Sequence, residues 1–559
     1  MKRIFSLLLM LALVFSLVAC QPEGPSLSST PTTTPTAPTE ADNKDPSGRY
    51  ELDLLRNEAI VNDFGTVTAE NQGNARVYYQ IFVGSFSDSN GDGIGDLRGI
   101  INRFDYLNDG DPNSGLSLGI EGIWLSPIFT SPSYHKYDCN DYYEIDPQFG
   151  TMEDLKELVD LCHARGVQII LDLVVNHTST SHVWFQKFLN AHKDYNDSDP
   201  YYDFYTWSPE PLPNRTFYRL GSTSHYYEGN FSSEMPELNY DNPAVRQAMV
   251  DVAKFYLDLG VDGFRFDAAK YIYFGETTPN TDFWDWYMQQ LRDIKPDVYS
   301  VAEVWDADPA TIPYFSSTNC FNFSMSQLSG HISQAAANGS PTALAQYIES
   351  YLEKIQAQSP DAMLCSFIAN HDMDRAAGYL PLANGRAFMA ANLNILTPGS
   401  PFIYYGEEIG MTGSRGGNNT DANRRLAMLW GDGDTVKDPT GANYGSAGIN
   451  GTVADQKTNG ASLYNHYKKL IAIRQANPEI AYGQFQALDL KGTKAGGFLS
   501  TWQDSTVCVL HNTSTAETQV DLSLIPGFSF ESFTAVGLGG ARIEGNILIL
   551  DAQTSVVLR

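Results

Sequence analysis

From residue 76 onward the chain alternates near-continuous apolar runs with amphipathic stretches. The apolar runs cover 77–86, 122–129, 167–175, 261–266, 298–304, 320–325, 363–369 and 401–405. They are rich in Val, Ile, Leu and Phe without strict alternation, as strands of a parallel sheet covered on both faces must be. Helical patterns fall between them. One spans 151–165, with Thr151 as N-cap, Asp154 three residues on, and Gly166 as a stop. Another spans 243–259, with Asn242 as N-cap and Pro243 at the first helical position. About eight strand–helix units in series predict an α/β fold, a (β/α)8 TIM barrel, over 76–480.

Two stretches depart from this rhythm. After Asn176 and His177 the next barrel helix begins only near Asn242, so 178–242 is expected to be an inserted domain. Its aromatics, including Tyr201, Tyr202, Phe204, Tyr205 and Trp207, are expected to form mostly its own core. From about residue 481 short alternating runs predict a C-terminal antiparallel β-domain, a sandwich over 481–559.

The N-terminus has a different character. Lys2 and Arg3 precede an apolar run at 4–19, and Leu17-Val18-Ala19-Cys20 resembles a bacterial lipobox. Residues 1–20 are therefore expected to be a lipoprotein signal peptide, with Cys20 lipidated and the protein anchored outside the cytoplasmic membrane. Residues 21–48 are Pro, Thr and Ser rich and read as a tether. Residues 49–75 carry no clear pattern beyond a lead-in to the barrel.

Composition narrows the partners. The formal net charge is −30, from 36 Lys+Arg against 66 Asp+Glu in 559 residues. Such a chain is repelled by nucleic acid and by anionic lipid, but not by a neutral sugar. A monomer is expected. Without Cys20 five cysteines remain, with no CxxC spacing, so they are expected to be small buried apolar residues.

In a TIM barrel the reactive groups sit at the C-terminal ends of strands. The third predicted strand runs into Asp172, Asn176 and His177, the fourth into Arg265 and Asp267, the fifth into Glu303, and the seventh into Asn370-His371-Asp372. Arg265 and Asp267 are two apart on a strand and share a face. The two alone would pass as a structural ion pair at a strand end; four charged strand ends at one mouth are hard to explain that way. Crowded carboxylates push each other's pKa values apart, so one stays protonated beside an ionised neighbour. Glycoside hydrolysis requires that pairing.

The ordered set Gly122-Ile123-Trp124-Leu125-Ser126-Pro127, 172–177, 263–271, Glu303 and Asn370-His371-Asp372 resembles glycoside hydrolase family 13, the α-amylase family. The resemblance implies Asp267 as nucleophile, Glu303 as general acid/base and Asp372 as the carboxylate that holds sugar hydroxyls in the transition state. It implies Tyr137, His177, Arg265 and His371 on the glycone side and Lys270 on the leaving-group side. It further implies a retaining mechanism with the Asp267 and Glu303 carboxyls about 5–5.5 Å apart. By the same resemblance Asp267-Ala268-Ala269-Lys270 is closer to α-amylases than to α-glucosidases, and Met235-Pro236-Glu237-Leu238-Asn239 is intermediate between the oligo-1,6-glucosidase and neopullulanase branches. The expected activity is endo-acting hydrolysis of α-1,4-glucans, starch or maltodextrins. The alternatives are an exo-acting α-glucosidase, a cyclodextrin- or pullulan-cleaving enzyme, or a non-catalytic glucan-binding protein.

The loop at 88–96 alternates oxygen-bearing side chains with glycines, a pattern suited to a hard cation such as Ca2+. It is not an EF-hand, because Gly99 stands where the bidentate glutamate would be. It resembles a calcium loop of the same family, which implies Asp88, Asn90, Asp92, Asp96 and the Ile94 carbonyl as ligands. A further family calcium site uses an asparagine at Asn176, where Tyr271 departs from the histidine often found with it.

Overall fold

A computed structural model describes residues 73–416, 420–525 and 527–559. The leader with Cys20, the tether and most of 49–75 lie outside the described residues. Each of the eight apolar runs contains or abuts a strand of one sheet: β1 Tyr78–Ile81, β2 Gly122–Leu125, β3 Gln168–Leu173, β4 Gly263–Phe266, β5 Tyr299–Ala302, β6 Asn319–Cys320, β7 Cys365–Phe367 and β8 Ser400–Tyr404. All pairings are parallel, in the order β6-β5-β4-β3-β2-β1-β8-β7. A bridge between Phe321 and Cys365 closes the ring between β6 and β7.

The period of two along each strand sorts side chains between two environments. Outward residues such as Tyr79, Ile123, Leu171, Phe264 and Phe266 join the core shared with the surrounding helices. Inward residues fill the lower barrel with aromatics: Tyr78, Trp124, Tyr299, Phe321, Phe367 and Phe402 form one cluster with Ile170 and Val301. Tyr78 and Phe402 stack with centroids 4.8 Å apart. Continuing each inward column toward the C-terminal end gives Gln80 on β1, Asp172 on β3, Arg265 on β4 and Asp267 just past it, and Glu303 after β5. The packed floor thus gives way to a charged mouth on the same strands.

The helix Met152–Ala164 carries a full capping box between Thr151 and Asp154. The helix Pro243–Leu259 starts at Asn242, whose side chain accepts from Ala244 N–H, and ends at left-handed Gly260. The insertion folds as a helix, Val183–Lys193, with a small sheet of Trp207–Ser208, Tyr226–Glu228 and Phe217–Arg219. Phe204, Tyr205 and Tyr227 are buried in it.

After the barrel two antiparallel sheets stack. One comprises β9 Gln484–Leu488, β10 Ala495–Trp502, β11 Ser505–Asn512, β13 Phe533–Gly537 and β16 Thr554–Leu558, and the other β12 Thr518–Asp521, β14 Ala541–Glu544 and β15 Ile547–Leu550. Leu499, Cys508, Leu510, Val520, Leu548 and Leu558 fill the space between them. Alternate residues of the larger sheet, Phe498, Val507, Val509 and Val557, join the barrel's core instead. All five described cysteines are buried and free. Among the described residues no helix is long and apolar enough to cross a membrane.

Candidate active site

Arg265 is fully buried and has three carboxylates around it. Its Nη1 lies 2.6 Å from Asp267 Oδ1 and 2.9 Å from Asp172 Oδ1, and its Nη2 lies 2.9 Å from Glu303 Oε2. The Nη2 contact is an ion pair without hydrogen-bond alignment. One guanidinium spanning Asp267 and Glu303 holds them as near neighbours, as attack by one carboxyl group with protonation of the leaving oxygen by the other requires. Asp172 is fixed further by Trp124 Nε1 at 3.2 Å and Tyr137 Oη at 3.0 Å, both donating to its Oδ2.

Three acids against one cation cannot all ionise cheaply in a buried site. Two unit charges 4 Å apart interact by ~4 kcal/mol at an effective dielectric of 20. Burial pushes Glu303 up to about 7, with Arg265 opposing and Asp267 and Asp372 adding to the rise. Burial likewise pushes Asp267 up to about 6, against the pull of Arg265. Arg265 thus restrains Asp267 without returning it to the ordinary aspartate range. The order is the useful one: near neutrality Asp267 is mostly ionised while Glu303 keeps a proton for much of the time.

Asp372 behaves in the opposite way. Burial raises its carboxyl, but His371 and Arg425 outweigh that and hold it well below the usual range. His371 Nε2 lies 2.9 Å from Asp372 Oδ2, and Arg425 Nη2 donates to Oδ1 at 2.7 Å. With the Gln80 amide nitrogen donating to His371 Nδ1 at 2.7 Å, the imidazole proton sits on Nε2, facing Asp372 and Tyr137 Oη. The Tyr137 ring stacks on His371, with centroids 5.4 Å apart and planes 7° from parallel.

Tyr137 reaches the mouth on an excursion after β2, where Phe129–Thr130 pairs with Asp141–Ile145. The residue before it, Lys136, is left-handed at φ 65° and is tied down by an ion pair to Asp146 at 2.7 Å. His177, after β3, is buried, and burial and His135 lower it to about 3, so it is neutral. Its Nε2 has no partner among the described residues, an orphan that a sugar hydroxyl would satisfy.

The mouth therefore gathers Asp267, Glu303, Asp372, Arg265, Tyr137, His177 and His371. Lys270 stands to one side, donating to Trp305 O at 2.7 Å and pairing with Asp306 at 3.0 Å. It lines a cavity of about 310 Å³ with Tyr271, Phe274 and Tyr314. A second cavity, of about 510 Å³, is lined by Asp372, Trp305, Leu328, Arg415 and Arg424. Reasoning from sequence missed Gln80, Arg425 and Ala268. Gln80 was legible as an inward polar residue in an apolar run. Ala268 is left-handed at φ 51°, ψ 35°, a conformation that costs a non-glycine residue roughly 1–2 kcal/mol.

The loop at 88–96 is wound by its own hydrogen bonds. Asp88 accepts from the N–H groups of Asn90, Gly91 and Gly93, Asn90 Oδ1 from Asp92 N–H, and Asp92 Oδ1 from Ile94 N–H. Asp96 caps the helix Leu97–Asn102 through Gly99 N–H and also accepts from Ser89. The donors are all oxygens, which suits a hard cation. Among the described residues, however, no three of His, Cys, Asp and Glu are grouped to hold a metal. Asn176 is buried with its amide 3.4 Å from His177 Nδ1.

The profile for the α-amylase catalytic domain matches residues 80–483. The chain is 36% identical over 489 residues to α-amylase 3 of Dictyoglomus thermophilum, covering 86% of this chain and 93% of that one. It is 32% identical over 488 residues to a trehalose synthase/amylase of Mycobacterium tuberculosis, covering 74% and 76%. Eubacterium rectale Amy13B superposes with a TM-score of 0.80 at 34% identity, covering 88% of this chain and 96% of the other.

Proposed function

This chain belongs to the α-amylase family, and from that premise we propose that it is a retaining, endo-acting α-1,4-glucan hydrolase that degrades starch and maltodextrins outside the cell. The observation that carries the reading is Arg265, which contacts Asp267 and Glu303 at once while their carboxyls stay at different acidities.

In the first step an Asp267 oxygen attacks the anomeric carbon and the glycosidic C–O bond breaks. Glu303 gives its proton to the departing oxygen. In the second step Glu303, now a carboxylate, takes a proton from water, whose oxygen attacks the same carbon. The bond to Asp267 breaks, and both carboxyls return to their starting states. One glycosidic bond and one water are consumed. Asp372, kept ionised, accepts hydrogen bonds from sugar hydroxyls. Neutral His177 offers its unpartnered Nε2 to a sugar hydroxyl without fixed charge, and His371, whose ring nitrogens are already engaged, holds Asp372 in place.

Cavities lined by Asp372 on one side and Lys270 on the other support a cleft that admits a chain passing through. Products from an end-blocked maltooligosaccharide, from pullulan and from cyclodextrin test this. An endo enzyme cuts the blocked chain internally; an enzyme that leaves it whole but releases glucose from the free-ended chain is exo-acting.

We further propose that Asp88, Asn90, Asp92, Asp96 and the Ile94 carbonyl hold Ca2+ as a structural ion. We also propose lipid anchoring through Cys20, with the enzyme acting as a monomer on the cell exterior. Globomycin-sensitive processing of the leader tests the anchor.

A further inference from the structure

Two consecutive N–H groups follow the Asp267 position, and both are aimed at Glu303. Ala268 N–H donates to Glu303 Oε2 at 3.1 Å, and Ala269 N–H donates to the Glu303 backbone oxygen at 3.1 Å. Ala268 is left-handed and buried. Beyond this turn, the Ala269 carbonyl accepts from Trp284 Nε1 at 2.8 Å. Trp284 is fully buried on the helix Thr277–Ile294, against Phe266 at 4.7 Å. Strained backbone at a functional site persists only when its surroundings over-determine it. Here the turn is fixed by Glu303 on one side and Trp284 on the other.

We propose that the Ala268–Ala269 turn, anchored by the Trp284 indole, is a positioning element that fixes the carboxyl of Glu303 against the scissile oxygen. The proposal rests on the reading of Glu303 as acid/base. The turn contributes nothing to the reacting atoms; it acts through Glu303. An N–H on Oε2 leaves the other oxygen, Oε1, to carry the proton toward the leaving group. It also favours the carboxylate left after that transfer, and so restrains the rise in pKa that burial imposes.

The test replaces the Ala268 backbone amide with an ester, using the hydroxy-acid analogue of alanine, in the full-length enzyme. The side chain is unchanged and only the N–H is lost. Glu303 then stays protonated to higher pH. The alkaline limb of kcat/KM on a maltooligosaccharide should move up by about half to one unit, and kcat should fall roughly tenfold. Trp284→Phe, which keeps an aromatic ring but loses the indole N–H, should move the limb the same way by less. Ala268→Gly keeps the N–H and enters the left-handed region without strain, so its limb should stay in place. An unmoved limb in the ester variant overturns the proposal, whatever happens to kcat. Full activity in Glu303→Gln would instead overturn the acid/base reading beneath it, so the two failures are distinguishable.

Discussion

Arg425 Nη2 donates to Asp372 Oδ1 at 2.7 Å from a buried position in the loop after β8. The same guanidinium donates through Nε to His371 O at 3.0 Å and through Nη1 to Tyr134 Oη at 3.0 Å. It therefore fixes both where Asp372 points and that it is charged. Arg425→Lys keeps the charge but cannot reach three acceptors in a fixed fork. We expect kcat/KM to fall about 10²-fold, the cost of a misplaced catalytic group. Steady-state kinetics on a maltooligosaccharide checks it, and an unchanged value would remove Arg425 from the account.

The pH–rate profile should be a narrow bell. Activity needs Asp267 ionised and Glu303 protonated, with carboxyls at about 6 and about 7. The acid limb of kcat/KM should lie near the first value and the alkaline limb near the second, as apparent constants of the coupled cluster. An alkaline limb above pH 9 would say that another group supplies the proton.

Stability should also depend on pH through an acid outside the site. Burial raises Glu407 to about 8, with Glu408 adding, while Tyr467 and Arg375 oppose. Its folded value exceeds its unfolded one, so its contribution is complete below the ordinary glutamate range and is lost as pH rises through about 8. Thermal melts at pH 6 and pH 9 should show wild type losing more than Glu407→Gln over that interval. Equal losses would mean that Glu407 does not stay protonated in the fold.

If the loop at 88–96 holds Ca2+, a chelator should lower the melting temperature and added Ca2+ should restore it. The Asp88→Asn variant should respond less. A melting temperature indifferent to chelator would leave the loop held by its own turns alone.

Much of the fold was legible because it rests on short-range rules. The eight apolar runs needed only the burial of a parallel sheet on both faces, and Thr151 and Asn242 announced helices by capping chemistry. Arg265 and Asp267 shared a face because of the strand period alone. Strand length was not legible: β6 is two residues long, since its run turns away at Phe321 into a 3-10 turn at Phe323–Met325. Arg425 was not legible either. Beside Arg424 in an aperiodic loop it reads as surface charge, and only the tertiary path of that loop carries it under Asp372. The turn at Ala268 was hidden for a related reason, since nothing in Asp-Ala-Ala-Lys signals a positive φ in an alanine.

The most direct measurement is covalent trapping of the glycosyl-enzyme with a slow fluorinated α-glucosyl fluoride, followed by peptide mass spectrometry. The account predicts one added sugar per chain, on the peptide containing Asp267, in the native enzyme and absent from Asp267→Asn. Label on Glu303 or Asp372, or turnover of the probe with inverted anomeric configuration, would contradict it.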